Sequence, residues 1–313
     1  MKQISWKKGI QSGLKTVWEL GKIIFPITLV IGILQHTPII ESLIDLVSPI
    51  MSLVGLPGEA AIPLVMGNLL NLYAAIGATL PLQFTVKEVF IIALMLTFSH
   101  GLPIESAVCR RAGMSFLLIT SLRLVLSFLA GMGVHYLWDG GYETARYGLA
   151  SATETSPSGW GEIIWSSIVT AGVSVLQLAL IVIPLMIGIQ ILRDLKFLEW
   201  FAERMKPAMI RLGIAPRGAI TMAGGLLFGL AFGAGIILQQ AAEQKFTRRE
   251  ITLIMLFLGP CHAIIEDTLI FVPLGINVLP LLLIRFIVAV VLTVTVAKLW
   301  PLQTRQTLST KNA

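Results

Sequence analysis

Charge is scarce in this 313-residue chain: Asp, Glu, Lys and Arg make up 13% of it, against 56% hydrophobic residues, and the mean hydropathy is +0.85. A water-soluble domain cannot hide that much apolar surface, so the composition points to an integral membrane protein. Cysteine is nearly absent. Cys109 and Cys261 lie in or beside apolar segments, which excludes a disulfide framework. Residues 1–16 lack an early apolar core and a small-residue cleavage site, so no cleavable signal peptide is expected. An H-E-x-x-H pattern and a nucleophile–base pair are also missing, and we expect no enzymatic activity. The net charge of +6 is no nucleic-acid footprint, because the basic residues gather in the tails and in particular loops, as membrane topology demands.

What is present is a series of apolar runs of about twenty residues, rich in Leu, Ile, Ala and Met, which predict α-helices rather than a barrel. A lysine-rich amphipathic N-terminus (1–16) precedes a span at 17–36. Pro38 opens an amphipathic segment with Glu41, Asp45 and Ser48 on its wet side, expected to lie along the interface. Residues 58–82, studded with Gly58, Pro63, Gly67, Gly77 and Pro81, predict a re-entrant hairpin. Spans follow at 86–109 and 113–137. After a polar, acidic linker at 139–161 the pattern begins again: a span at 163–192, an amphipathic helix at 195–212, a Gly-rich hairpin at 216–242, and spans near 250–274 and 278–299.

The two halves align. At an offset of 158, Pro26 meets Pro184, Glu41 meets Glu199, Asp45 meets Glu203, and Gly55, Gly67 and Gly77 meet Gly213, Gly225 and Gly235. The offset then becomes 162, and Phe84-Thr85 meets Phe246-Thr247, Glu88 meets Glu250, His100 meets His262, Glu105 meets Asp267, and Arg123 meets Arg285. Charge sets their relative orientation. Residues 35–59 hold Glu41, Asp45 and Glu59 with no Lys or Arg, whereas 193–217 hold Arg193, Lys196, Arg204, Lys206, Arg211 and Arg217. Lys and Arg favour the cytoplasm, so the same loop is expected outside in one half and inside in the other.

The expected fold is therefore an all-α polytopic membrane protein of two inverted repeats (17–138 and 162–300). Each repeat has three spanning helices, an interfacial amphipathic helix and a re-entrant hairpin. The linker 139–161 is expected outside a bacterial inner membrane, and the N-terminus and the 301–313 tail inside it.

Two segments carry the chemistry: Ser99-His100-Gly101-Leu102-Pro103-Ile104-Glu105-Ser106 and Cys261-His262-Ala263-Ile264-Ile265-Glu266-Asp267-Thr268. A histidine, an acid five residues on and then a hydroxyl recur in apolar surroundings. Ionisable groups there usually face a polar cavity or a partner. Imidazole with carboxylate suits a divalent cation such as Zn²⁺, Fe²⁺, Ni²⁺ or Mn²⁺, and histidine could equally carry coupling protons. The metal candidates are His100, Glu105, His262 and Asp267; Ser106, Glu266, Thr268, Asn68 and Asn71 complete the candidate substrate site. Capping of broken helices is the alternative role for these residues, and helix cross-linking that for the asparagines. Arg123 and Arg285, within spans, could pair with a motif carboxylate or snorkel.

The hairpins, the interface helices and the stretch Gly67-Asn68-Leu69-Leu70-Asn71 resemble the Gate or "nucleoside recognition" membrane family. That family includes spore maturation proteins and the membrane gates of ferrous-iron transporter B, and is distantly similar to concentrative nucleoside transporters. The resemblance implies transport or gating. No G domain of the iron-transporter kind accompanies it, and Gly259-Pro260-Cys261-His262 stands where those gates place a Cys-containing break. The expected function is a secondary transporter of a small polar or ionic solute, a divalent metal cation first. A nucleoside or another organic solute is the runner-up, and a non-transporting assembly protein of the spore-maturation type a further alternative. No cofactor is expected beyond a bound divalent metal as substrate. The expected partners are the lipid bilayer and the solute, and the small-residue hairpin faces would suit a homodimer.

Inversion predicts a labelling pattern. With Cys109 and Cys261 replaced, Ala150→Cys should react with an impermeant maleimide from outside intact cells, and Lys206→Cys only after the cytoplasmic face is opened. Reaction of both from one side would sink the inverted arrangement.

Overall fold

A computed structural model describes residues 5–34, 36–148, 159–244 and 246–300. Within the expected segments, part of the linker (149–158), the tail at 301–313 and residues 1–4 lie outside the described residues.

The described residues form an all-helical protein with five helices long and apolar enough to cross a membrane. Helix α1 (Trp6–Leu34) already begins inside the lysine-rich N-terminal stretch, so the amphipathic segment and the first span are one helix. Helix α2 (Pro38–Ser52) starts at its proline, where a missing N–H leaves no donor wanting. Helices α3 (Ala61–Leu69) and α4 (Leu72–Thr79) are the arms of the first hairpin. They meet at Leu70 and Asn71, and the Asn71 side chain caps α4 by accepting from the Ala74 N–H.

Helices α5 (Val86–Ser99) and α6 (Leu102–Ala112) follow, broken at His100 and Gly101, and then α7 (Phe116–Leu137). Pro103 opens α6 rather than ending α5. Helix α8 (Trp160–Asp194) leads to α9 (Phe197–Arg211), α10 (Ala219–Phe232) and α11 (Ala234–Gln244). Helix α10 is kinked at Gly229. The chain closes with α12 (Arg248–Leu258), one turn of α13 (Glu266–Leu269) and α14 (Val278–Leu299).

The span expected near 250–274 is not one helix. Helix α12 stops at Gly259-Pro260, and the crossing is completed by a turn, α13 and a 3₁₀ turn at Val272–Leu274. The missing proline N–H breaks the helical ladder here, and Pro273 limits its restart.

Positions matched in the sequence make matched contacts. Thr85 with Glu88 and Thr247 with Glu250 form capping boxes that start α5 and α12. Beside each box a cation ties down the end of the last long helix of its half. Lys87 donates to the His135 and Trp138 carbonyls, and Arg249 to those of Ala297 and Trp300. Both satisfy C-terminal carbonyls and oppose the negative end of a helix dipole.

Helices α1 and α8 pack antiparallel along glycines. Gly9 sits on Ile187, Gly13 on Ile183 and Gly32 on Ser167, where an added Cβ would fall within about 3 Å of the neighbour, and Gly21 lies in ordinary contact with Val175. At 29 and 35 residues these helices are roughly 44 and 52 Å long, well beyond a bilayer core of ~30 Å. Their outer faces are apolar and exposed, as are those of α7 and α14, which places them against lipid. The broken pair α5–α6 is the opposite case, with 89% of its apolar window buried inside the protein.

The hairpins bring glycines to these broken segments. A Cβ on Gly67 would fall 2.3 Å from Leu96, and one on Gly225 2.5 Å from Leu258. That approach lets the Gly67 carbonyl accept from Gly101 N–H at 2.9 Å, and the Gly225 carbonyl from Ala263 N–H at 3.1 Å. Gly229, with φ 76° and ψ 177°, occupies a region open essentially to glycine alone, and its Cβ would meet that of Ala263 at 3.0 Å. Gly229→Ala is expected to lose about 2 kcal/mol of stability, read by denaturant unfolding in detergent. Unchanged unfolding would show that the kink is not held by its surroundings.

Candidate functional site

The two motif histidines lie at the two helix breaks, and the breaks face each other. His100 ends α5 with an extended backbone, and Gly101 then turns the chain through φ 57° into α6. His262 follows α12, and Ala263 takes the same turn at φ 41°. This matched position holds glycine in one half and a side chain in the other.

Each imidazole is fixed by its own helix. His100 Nδ1 lies 2.8 Å from the Leu96 carbonyl, and His262 Nδ1 lies 2.8 Å from that of Leu258. A carbonyl only accepts, so each Nδ1 carries a proton, and in the neutral ring Nε2 presents its lone pair. The two Nε2 atoms are 3.4 Å apart, with ring centroids at 5.0 Å, and both rings are buried.

The carboxylates border this pair. Glu105 Oε1 is 3.4 Å from His100 Nε2 and 3.2 Å from His262 Nε2. Asp267 Oδ2 is 3.8 and 3.7 Å from the same two atoms. His100, His262 and Asp267 thus offer ligand atoms within 4.8 Å of one another.

Two arginines hold the arrangement together, and both are fully buried. Arg123 donates from Nε to the Phe98 carbonyl and from Nη2 to that of His100, both at 2.8 Å. Its Nη2 also lies 2.8 Å from Glu105 Oε2, an ion contact rather than an aligned hydrogen bond. Arg285 repeats the pattern, donating to the carbonyls of Pro260 (3.2 Å) and His262 (2.8 Å) and to Asp267 Oδ2 (3.0 Å). Of the two roles open to these arginines from sequence, pairing is the one realised. Their contacts with the broken backbone were not legible there.

Glu266 also reaches the site. Its Oε1 accepts from the Tyr73 hydroxyl at 2.6 Å, and both side chains are buried. Tyr73, on the first hairpin, was missed in the sequence because a lone tyrosine in an apolar run carries no spacing signal. A cavity of about 200 Å³ joins these groups. It is lined by both histidines, Glu105, Glu266 and Asp267, and by the two hairpin tips, Leu70–Tyr73 and Phe228–Ala231.

The remaining candidates lie differently. Asn71 borders the cavity with its side-chain oxygen engaged as the α4 cap, and Asn68 does not line it. Ser106 is buried and accepts from the Thr120 hydroxyl at 2.8 Å. Thr268 is buried with its hydroxyl unpartnered. Neither hydroxyl borders the cavity.

The sequence profile of the Gate family, described as nucleoside recognition, matches residues 17–132 and 175–277. A relative, the uncharacterized membrane protein YvoD of Bacillus subtilis (strain 168), is 47% identical over 292 residues. The aligned region covers 93% of this chain and 94% of that protein. No solved structure matches the chain.

Arg123→Met would leave Glu105 buried without its countercharge and the Phe98 and His100 carbonyls without their donor. A loss of about 3–5 kcal/mol is expected, with the same for Arg285→Met, read by thermal unfolding in detergent. Variants as stable as the wild type would mean that the arginines do not hold the breaks.

Proposed function

This chain belongs to the Gate, or nucleoside recognition, family of membrane proteins, and from that premise we propose that it is a secondary transporter of a divalent metal cation. The cation is held between His100 and His262 and moved by alternating access. The observation that carries this reading is the pair of Nε2 atoms facing each other at 3.4 Å. With both Nδ1 positions engaged by carbonyls, neutral rings point two lone pairs at one spot, which is repulsive unless a proton or a metal cation lies between them.

Distances favour a metal. Tetrahedral coordination with metal–nitrogen and metal–oxygen bonds near 2.0–2.1 Å separates its ligand atoms by about 3.3–3.5 Å. The triangle of His100 Nε2, His262 Nε2 and Glu105 Oε1 has edges of 3.4, 3.4 and 3.2 Å. Arg123 engages the other Glu105 oxygen, which leaves Oε1 to face the imidazoles. Size points the same way. Sites for drug-sized organic ligands occupy roughly 300–1,000 Å³, and the cavity here is about 200 Å³.

Alternating access rests on inverted repeats in the bacterial inner membrane, with both termini cytoplasmic. Supporting this, α1 and α8, matched through Pro26 and Pro184, pack antiparallel, and both hairpin tips reach the same cavity. Irregular backbone at membrane depth, buried and lining a cavity, is the setting in which such transporters hold their cargo.

The test is metal bound by the purified protein, by elemental analysis after dialysis against mixed divalent cations. Stoichiometric metal is expected in the wild type, with loss of most of it in the His100→Ala/His262→Ala double variant. Equal metal in both proteins, or none in either, would overturn the reading.

A further inference from the structure

The contacts that hold the histidines and arginines come in matched pairs, but one buried polar contact at the site does not. By the offsets that match the two halves, Tyr73 corresponds to Ala231 and Glu266 to Ile104. The bond from the Tyr73 hydroxyl to Glu266 therefore has no counterpart across the site: alanine and isoleucine cannot form one.

Charge gives this exception a meaning. Arg123 and Arg285 balance Glu105 and Asp267, and with neutral imidazoles those six side chains sum to zero. A divalent cation entering a neutral buried cluster would bring two uncompensated charges into a low-dielectric setting. Glu266 differs from the other two acids. It joins none of the ion pairs found among the described residues, and its partner is an uncharged hydroxyl. It also borders the same small cavity as both imidazoles.

Resting on the cation reading, we propose that Glu266 is the ligand that offsets one of the cation's two charges. Tyr73 holds it aside in the conformation described here, and an entering cation draws it across the cavity. A carboxylate engaged only by a phenol hydroxyl gives up little on moving to a metal. The acids clamped by arginines would each have to leave a buried countercharge. The transfer also frees the first hairpin tip, where Tyr73 sits, and leaves the second untouched. Loading of the site is thereby linked to one hairpin only.

The experiment is calorimetric titration of Zn²⁺ into the full chain in detergent. Zinc serves as probe because it generally binds nitrogen and oxygen donor sets more tightly than Mn²⁺ or Fe²⁺. Glu266→Gln keeps the shape and removes the charge, and should weaken binding roughly tenfold or more, since affinity follows the count of charged ligands. Tyr73→Phe, a conservative change, should tighten binding about threefold by leaving Glu266 without its resting partner. Glu266→Gln binding as tightly as wild type, while His100→Ala/His262→Ala does not bind, would overturn the role of Glu266 and leave the cation reading intact. Tyr73→Phe that fails to tighten would overturn the transfer from Tyr73. Zinc retained by the histidine double variant would remove the cation reading and this inference with it.

Discussion

Two buried guanidinium groups are the constraint on which the rest of the site depends. A helix broken at membrane depth frees carbonyl groups that lipid cannot satisfy. Arg123 answers the carbonyls of Phe98 and His100, and Arg285 those of Pro260 and His262. The same side chains reach the acids five residues beyond each histidine, Glu105 and Asp267. One residue per half therefore satisfies the broken backbone, anchors the carboxylate and sets it beside the imidazole. Neither the break nor the buried acid would be tolerable alone. Together with the arginine they form a unit whose charges cancel and whose backbone is satisfied.

Much of this was legible in the sequence, for a physical reason. Duplication doubles every signal. A single His-x4-Glu would be weak, but the same spacing around His100 and His262, with Arg123 and Arg285 in step, is hard to obtain without a shared role. The glycines of the hairpins were readable because close helix approach demands small residues, and the contacts of Gly67 and Gly225 bear that demand out. Three things were hidden. The stretch 250–274 is apolar throughout, and hydropathy alone cannot tell one spanning helix from a short helix, a turn and a second short helix. The arginine–carbonyl bonds depend on which backbone groups a break leaves free, which no side-chain pattern records. Tyr73 meets Glu266 across 193 residues of chain, and although Glu266 was a candidate, Tyr73 and the bond between them fall outside the repeat's matched pairs and carried no signal.

Several departures from symmetry lie at the centre of the molecule, where the two halves meet. Gly101 and Ala263 occupy the same left-handed turn, and only the second carries a side chain there. Asn71 caps a helix at the first hairpin tip, while its counterpart Gly229 takes a non-helical conformation where two helical pieces meet at a kink. Away from the centre, matched residues do the same job, as Lys87 and Arg249 do on the ends of α7 and α14. A duplicated fold needs its halves alike where they build the scaffold, because each must satisfy the same backbone. Between the halves nothing enforces likeness, and there the sequences have diverged.

That divergence bears on how such a site can hold a charged cargo and still release it. A buried cluster with a standing net charge is unstable when empty, and one that is neutral resists a cation when it fills. The arginine–carboxylate units are neutral in themselves, so a compensating charge has to come from a group outside them. It must be near enough to act and must be held by something weaker than an ion pair. A carboxylate bonded to a tyrosine hydroxyl, bordering the same cavity, meets both conditions. Had Glu266 faced a third arginine, the empty site would be firmer and the loaded one weaker. On the proposed reading, this unmatched contact lies where a matched framework needs an adjustable charge.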